Sequence, residues 1–265
     1  AKMDLNGNFI WVKKGGGSGM DQSQLFLHNS GKIYLITQSE DSSQFGNFNL
    51  PSGGALVQYD SAGNCLSAET KFTQAIFNDY NQVKLAYNDH DLYYYGSFRT
   101  SAFQLDTANL INQGQADAFL SQADSNGNVK WVKQFGYSGV DYINDLVVSN
   151  NSLYAVGGFQ DSITFNSTTL YNNGTDIFIA KFDTSGNIIW VRNLGCTGTT
   201  NSGNAITVDG DGNSYITGEF SGTASFGSFQ ITASNSSDMF LARYDSSGNC
   251  LGVKNFGQAS GSCLA

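Results

Sequence analysis

The sequence is poor in basic residues and has no long apolar run. No stretch of 18 apolar residues is present, so no segment is predicted to cross a membrane as a helix. The 13 lysines and arginines are outnumbered by 22 acidic residues, and the longest basic run is Lys13-Lys14. Because no basic stripe can neutralise phosphates, we expect neither nucleic acid nor an anionic lipid surface as a partner.

Histidine and glutamate are also scarce, and this limits the catalytic sets that the chain could assemble. His28 and His90 are the only histidines, and neither has a second ligand-type residue at metal-binding spacing. Glu40, Glu69 and Glu219 are the only glutamates. Hydrolysis by paired carboxylates would therefore need aspartates facing one cleft, and most aspartates stand in turn motifs. The sequence predicts a protein that is not an enzyme.

Glycine, by contrast, is abundant at 31 residues, against a single proline. It recurs in a five-residue motif in which aspartate, two variable residues, glycine and asparagine follow one another. The aspartate can cap the turn, and the glycine supplies the positive φ that closes a short hairpin. The motif predicts five repeat units of about 60 residues within one domain spanning residues 1–265. The marker aspartates are Asp4, Asp60, Asp124, Asp183 and Asp245.

Each unit reads as four short antiparallel strands with almost no helix. A tyrosine stands at one position of the second strand, a phenylalanine follows about eleven residues later, and a tryptophan lies seven residues past the turn aspartate. Because every tryptophan recurs at one register, we predict packing between units rather than a cofactor cage. The recurring aromatics are Tyr34, Tyr93, Tyr154 and Tyr215, then Phe45, Phe103, Phe165 and Phe226, and finally Trp11, Trp131 and Trp190.

Four-stranded units of this length predict an all-β fold, a β-propeller of four-stranded antiparallel blades. An unclosed stack would expose large apolar faces, whereas a ring covers them. Four units are complete, and a partial fifth has its two ends but no second strand. We therefore expect the sequence to be a window of a longer chain. A domain-swapped oligomer is the alternative.

The pattern resembles the bacterial SBBP beta-propeller repeat family. The residues that carry the resemblance are 176–190, which read DIFIAKFDTSGNIIW, and 204–218, which read NAITVDGDGNSYITG. The resemblance covers essentially the whole chain, with the second unit departing most. It implies a propeller in exported or surface-attached bacterial proteins, usually as one module of a longer polypeptide. It implies no single activity.

One turn has the spacing that opens a calcium-binding loop. Asp209, Asp211 and Asn213 place oxygen ligands at alternate positions, but the glutamate that completes such a loop is absent. These three residues are the predicted metal site, with calcium as the only candidate cofactor. A plain hairpin turn is the alternative.

The connections between units contain aspartates and cysteines whose roles the sequence leaves open. Asp21 and Asp141 would line one face of a propeller, where ligands often dock, or would accept hydrogen bonds from loop amides. Cys196 and Cys263 lie one repeat apart, and a disulfide between them is conceivable. Cys65 and Cys250 occupy equivalent positions and are expected to be small buried strand residues.

These observations predict a secreted or cell-surface module that displays a surface to a protein or glycan partner, with the export machinery among the candidate partners. The variable loops would bind the partner while the repeated cores supply stability. One alternative is a lectin-like propeller, with a shallow sugar site on each blade. Another is the propeller part of a larger secreted enzyme, which a central channel lined only by small and apolar side chains would exclude.

Overall fold

The chain folds into β-strands joined by tight turns. The computed structural model describes residues 1–19, 21–28, 31–72, 82–88 and 90–257, and no helix occurs in these ranges. Consequently, none of the described segments is a helix long and apolar enough to cross a bilayer. This confirms the predicted all-β class with antiparallel sheets.

The strands follow the predicted repeat. The N-terminal segment forms β1 (Lys2–Met3), β2 (Phe9–Trp11) and β3 (Gly15–Gly16). The first unit forms β4 (Asp21–Leu27), β5 (Ile33–Ser39), β6 (Ser43–Phe45), β7 (Phe48–Leu50), β8 (Gly53–Tyr59) and β9 (Cys65–Phe72). The second forms β10 (Gln82–Tyr87), β11 (Leu92–Phe98), β12 (Ala102–Leu105), β13 (Ala108–Ile111), β14 (Asp117–Ala123) and β15 (Val129–Phe135). The third forms β16 (Tyr142–Ser149), β17 (Ser152–Phe165), β18 (Thr168–Asp183) and β19 (Ile188–Asn193). The fourth forms β20 (Ser202–Val208), β21 (Ser214–Phe220), β22 (Thr223–Phe226), β23 (Phe229–Thr232), β24 (Asp238–Tyr244) and β25 (Cys250–Phe256).

Each unit contributes four main strands that pair in chain order, every pair antiparallel. They form sheet 1 (β4-β5-β8-β9), sheet 2 (β10-β11-β14-β15), sheet 3 (β16-β17-β18-β19) and sheet 4 (β20-β21-β24-β25). The pair β1-β2 stands before sheet 1 as a separate two-stranded antiparallel sheet. Sheets 2, 3 and 4 therefore have the four strands predicted for each unit.

A short hairpin between the second and third main strands reaches back to the preceding unit. In the second unit, Leu105 of this hairpin pairs with Phe72, so sheet 1 gains β12 and β13 and has six strands instead of the predicted four. In the first unit, β6 pairs with β3 in the same way. In the fourth unit, Ser225 donates its N–H to Leu194 O at 2.6 Å. These hairpins tie neighbouring units together by backbone hydrogen bonds.

The phenylalanine of each hairpin is buried between two units, as predicted. Phe165 packs against Phe135 of sheet 2, with ring centroids 4.9 Å apart, and against Phe178 of its own sheet at 5.0 Å. Phe103 packs in the same manner between Phe72 and Phe119. Burial of one such ring per unit makes an apolar contact that stabilises every described boundary between sheets.

The turn motif has the hydrogen bonds that its residue types predict. Asp183 Oδ1 accepts the N–H groups of Ser185 and Asn187 at 2.9 and 2.8 Å, and Oδ2 accepts Asn187 Nδ2 at 3.0 Å. Gly186 donates its N–H to Asp183 O at 3.0 Å. The same bonds recur at the turns that begin at Asp4, Asp60, Asp124 and Asp245.

These bonds to a carboxylate make the fold sensitive to acid. The N–H of Asn64 and then its side-chain amide lower the pKa of Asp60 below the ordinary 3.8, and Asn249 does the same for Asp245. A lowered pKa in the folded state gives stability that is present above pH 3.8 and is lost as the pH falls through the folded value. We expect the melting temperature to fall between pH 5 and about pH 2. The double variant Asp60→Asn and Asp245→Asn should show a shallower fall by calorimetry, and an unchanged slope would contradict this origin.

Each tryptophan packs on the glycine of the turn in the next unit. Trp190 donates its Nε1–H to Ser246 O at 3.1 Å. Its ring packs on Gly248 so closely that a Cβ added to this glycine would lie 2.7 Å from Trp190 Cδ2. Each ring thus packs on a turn glycine of the next unit, as predicted, although Trp131 donates its Nε1–H to Gln122 Oε1 of its own sheet rather than to a backbone oxygen of that turn. The other pairs are Trp11 with Gly63 and Trp131 with Gly186. In each pair, a Cβ added to the glycine would lie 2.7 Å from the nearest atom of the tryptophan ring.

One face of sheet 4 packs against sheet 3, and the other face of sheet 4 is partly exposed. Ile179 of sheet 3 is fully buried, whereas Leu241 at the equivalent position of sheet 4 is 43% exposed. The cation–π contact of Lys181 over Tyr154 is repeated there by Arg243 over Tyr215, at 5.5 Å. The fourth sheet therefore keeps the side-chain arrangement of the third on a face that no described sheet covers.

Candidate functional site: a cleft on the first strands

The first main strands of successive sheets (β4, β10, β16 and β20) lie beside one another and form a wall. Each is an edge strand of its sheet, so one row of its backbone groups has no partner within the sheet. Side chains from the preceding sheet satisfy part of this row. Gln24 Oε1 accepts the N–H of Leu85 at 3.3 Å, and Lys84 Nζ donates to Asn144 O at 2.7 Å.

The same connection continues from sheet 3 to sheet 4. Asn144 Nδ2 donates to Gly203 O at 2.9 Å and to Ser202 Oγ at 3.1 Å. Asp145 Oδ2 accepts the N–H of Ile206 at 2.9 Å. Three polar side chains about 60 residues apart, at positions 24, 84 and 144, therefore bind the backbone of the next unit.

A cleft of about 510 Å³ opens over this wall across sheets 1, 2 and 3. Its lining combines amide, acidic and aromatic groups, among them Gln24, Phe26, Tyr87, Tyr95 and Asp145. An adjoining cleft of about 270 Å³ shares one of these residues and is also lined by Gln22, Gln38 and Lys84. A volume of this size holds a ligand of several sugar or amino-acid residues.

The ionisable groups of the two clefts influence one another's pKa values. Burial lowers the pKa of Lys84, and the carboxylate of Asp145 offsets part of that effect. Burial also raises the pKa of Tyr95, with a further contribution from Asp145, whose Oδ1 accepts the tyrosine hydroxyl at 3.5 Å. Tyr95 and Asp145 thus form a hydrogen-bonded polar pair in the cleft, and Lys84 lines the adjoining cleft.

This wall differs from the small and apolar lining that would have excluded an enzyme. Lys84 and Asp145 are charged, and both were missed when the sequence was read for catalytic sets. Their signal is periodic: positions 24, 84, 144 and 204 are Gln, Lys, Asn and Asn, which are polar in every unit although the residue type varies. The enzyme alternative therefore stays open.

The predicted metal residues form a sixth copy of the aspartate–glycine turn. Asp209 Oδ1 accepts the N–H groups of Asp211 and Asn213 at 3.1 and 2.9 Å. Its Oδ2 accepts Asn213 Nδ2 at 2.9 Å and the hydroxyl of Tyr215 at 3.2 Å. Within the described ranges, no group of three or more His, Cys, Asp or Glu side chains is arranged to hold a metal ion. The geometry is that of the hairpin-turn alternative, and calcium binding here stays a prediction.

The connection aspartates accept hydrogen bonds from loop amides, as one of the two interpretations predicted. Asp21 Oδ2 accepts the N–H of Gly17 at 2.9 Å, and Asp141 Oδ2 accepts that of Tyr137 at 3.3 Å. His28 packs between the rings of Tyr34 and Tyr87, at 5.9 and 5.6 Å.

The cysteines are described except for Cys263, so a bridge to Cys196 lies outside the described residues. Cys196 is buried with a free thiol, and burial raises its pKa. Cys65 and Cys250 are strand residues with free thiols, as expected from the sequence, but they are half-buried rather than buried.

Comparison with solved structures gives a member of the DUF4221 family from Bacteroides vulgatus ATCC 8482. It is 8% identical, the match covers 93% of this chain and 86% of that one, and the TM-score is 0.24. A TM-score this low carries no argument about fold. No curated protein matches the sequence.

A family model does match. It is described as a beta-propeller repeat, SBBP, and it covers residues 189–219. The matched segment runs from Ile189 in β19, beside the Trp190 contact, to Glu219 in β21. The chain therefore carries an SBBP beta-propeller repeat, which confirms the resemblance predicted from its sequence.

Proposed function

We propose that this chain is a β-propeller, with four complete four-stranded antiparallel blades and part of a fifth, that serves as a non-enzymatic interaction module. In this proposal it belongs to an exported or cell-surface bacterial protein and presents the cleft on its first strands to a partner. Support for the ring comes from four sheets of identical strand order whose edge strands are joined by side chains.

The hydrogen bonds of Lys84 and Asp145 support a non-enzymatic role and carry the proposal. A general acid or base must be within reach of substrate in the protonation state that it needs. Lys84 Nζ donates to a backbone oxygen of sheet 3, and Asp145 accepts a backbone N–H of sheet 4. Because both groups are used in hydrogen bonds that join neighbouring edge strands, we assign them a structural role in the walls of the clefts.

The partner class favoured by the cleft is a glycan. Sugars present many hydroxyl groups that amides and carboxylates bind, together with faces that pack on aromatic rings. Gln22 is exposed at the wall of the adjoining cleft, and Tyr87 and Phe26 of the main cleft meet edge to face at 6.1 Å. The cleft crosses three units whose lining residues differ, which favours one binding site for the domain over one site on each blade.

A glycan array probed with the purified chain tests this proposal. We expect binding to a restricted set of glycans. Gln22→Ala should weaken that binding about tenfold, as the loss of one good polar contact does. The control is Gln230→Ala, an equally exposed glutamine on the β22–β23 hairpin, which should bind like the wild type.

Three results would count against the proposal. Absence of binding across the array would remove the glycan partner and favour a protein ligand, to be sought with a peptide array. Equal loss in both glutamine variants would place the binding site outside the cleft. Chemical conversion of a bound glycan, followed by mass spectrometry, would favour the enzyme alternative.

A further inference from the structure

Two buried aspartates meet at the boundary between sheets 2 and 3. Asp117 begins β14, and Asp141 directly precedes β16. Both are fully buried, at 0% exposure. The chain segments that carry them are joined through the backbone, because Asp141 donates its N–H to Ala116 O at 2.8 Å. The fold therefore fixes both carboxyl groups in a place that water does not reach.

Each of these carboxyl groups has one oxygen with hydrogen-bond donors and one without. Asp117 Oδ2 accepts the N–H of Gln113 at 2.8 Å and Gln134 Nε2 at 2.6 Å. Asp141 Oδ2 accepts the N–H of Tyr137 at 3.3 Å. The Oδ1 atoms of both are buried and receive no hydrogen bond from any described residue. Neither group forms an ion pair with a lysine or arginine of the described chain.

The two carboxyl groups lie beside one another next to Gly136. A Cβ added to this glycine would be 2.7 Å from Asp141 Oδ2 and 2.8 Å from Asp117 Oδ1. Oxygen atoms of both side chains therefore face the same backbone position, close enough for two negative charges to repel strongly when both are buried. A proton on one of the two groups removes this repulsion.

The equivalent boundary between sheets 3 and 4 has Asn201 in place of Asp141, and there the polar groups are satisfied. Asn201 Nδ2 donates to Thr175 O at 3.0 Å, and its Oδ1 accepts the N–H of Ser221 at 3.0 Å. An asparagine amide thus closes that boundary at any pH. A protonated Asp141 has an O–H donor that can take the place of this amide, whereas the ionised form has no donor and adds a charge.

The charged groups around Asp141 favour its protonated form. Burial raises the pKa of Asp141 to about 8, and the charges of Asp117 on β14 and Asp161 on β17 contribute. The N–H groups of Tyr137 and Gln160 oppose this rise without offsetting it. Burial also raises the pKa of Asp117. No lysine or arginine is among the described groups that act on either carboxyl group.

We propose that Asp117 and Asp141 form a proton-dependent contact between sheets 2 and 3, and that release of its proton to solvent at neutral to mildly alkaline pH loosens this boundary. Asp141 leads directly into β16, which contributes Asp145 and Leu146 to the cleft. The same proton therefore controls how firmly one strand of the cleft wall is bound to sheet 2. The inference concerns the boundary alone and does not depend on what the cleft binds.

Urea unfolding of the chain at a series of pH values tests the inference. An aspartate in the unfolded chain titrates near its ordinary pKa of 3.8, so between about pH 4 and pH 8 only the folded state keeps the proton of Asp141. The stability from this group is complete below pH 3.8 and is lost as the pH rises to about 8. We expect the unfolding equilibrium constant of the wild type to increase about tenfold for each pH unit from 5 to 8 and then to level off.

Three variants assign this pH dependence to the pair. Asp141→Asn, which copies the residue at the next boundary, should be more stable than the wild type at pH 8 and should lose the dependence between pH 5 and 8. Asp117→Asn, which removes the neighbouring charge, should level off at a lower pH than the wild type. Asp21→Asn is the matched control, because Asp21 holds the same position in the first unit but is exposed, and it should keep the full dependence.

Hydrogen exchange followed by mass spectrometry locates the change. Once corrected for the intrinsic exchange rate, peptides that cover residues 113–117 and 137–148 should lose protection between pH 6 and pH 9 in the wild type and keep it in Asp141→Asn. Peptides that cover residues 194–203, at the boundary closed by Asn201, should keep their protection in both. The inference is overturned if Asp141→Asn keeps the pH dependence of the wild type, if Asp21→Asn abolishes it, or if both boundaries lose protection equally.

Discussion

Replacing Gly248 with alanine is expected to lower the free energy of unfolding by about 3 kcal/mol, for two reasons that add. The backbone of Gly248 has φ +78°, which an alanine adopts at a cost of about 1 kcal/mol. The new Cβ would also lie 2.7 Å from Trp190 Cδ2, within the ring that covers this turn. The ring or the turn must move, and the packing between sheets 3 and 4 loosens.

Gly212→Ala is the matched control, because it changes the same residue type in the neighbouring turn of sheet 4. Gly212 has φ +81°, and its nearest neighbours would be 3.4 Å from a Cβ, an ordinary contact. We expect a loss of about 1 kcal/mol there. Urea unfolding of both variants measures the difference.

A double-mutant cycle then assigns that difference to the tryptophan. In a Trp190→Ala background, Gly248→Ala should cost no more than Gly212→Ala does, because the ring is gone. Equal losses for the two glycine variants in the wild-type background would show that the contact between Trp190 and Gly248 contributes no measurable stability.

The repeated parts of this fold could be predicted because the chain contains six copies of the same turn, five of them about 60 residues apart. The turn at Asp183 is closed by bonds among residues four or fewer positions apart, so its residue types specify its geometry. Trp190 was placed correctly at a boundary between units because Trp11 and Trp131 stand at the same register. The recurrence of tryptophan at one register indicated its location between units, which a single copy of the motif would not have done.

The contacts between units could not be predicted from residue types, since one partner is usually a backbone atom. Lys84 donates to Asn144 O, and Leu105 pairs with Phe72 through the main chain. Every residue has a backbone oxygen, so the sequence does not indicate which of these oxygens accepts a hydrogen bond. For the same reason, the extra strands of sheet 1 became visible only in the structure.

In the cleft, the same residue can both join neighbouring sheets and form part of the surface that a partner would contact. Edge strands expose backbone groups that invite pairing with other chains. Gln24 satisfies such a group on the next sheet, and the same amide gives the cleft part of its polar wall. A partner that binds there meets a surface made rigid by the hydrogen bonds that join the units.

Asp176→Ala is expected to lower the free energy of unfolding by about 4 kcal/mol, because the carboxylate is fully buried and bonded on both oxygens. Its Oδ1 accepts the N–H groups of Ile177 and Cys196, and Oδ2 accepts Gly195 N–H and Asn193 Nδ2, all between 2.8 and 3.1 Å. Alanine would leave these donors inside the boundary between sheets 3 and 4 without an acceptor.

The control for this variant is Asp245→Ala, which removes three similar hydrogen bonds from a turn that water reaches. There the freed donors bind solvent, so we expect less than half the loss. Urea unfolding followed by tryptophan fluorescence reports both, since Trp190 contacts the turn that Asp245 opens. If the two losses are equal, the burial of Asp176 adds nothing to the contribution of its hydrogen bonds.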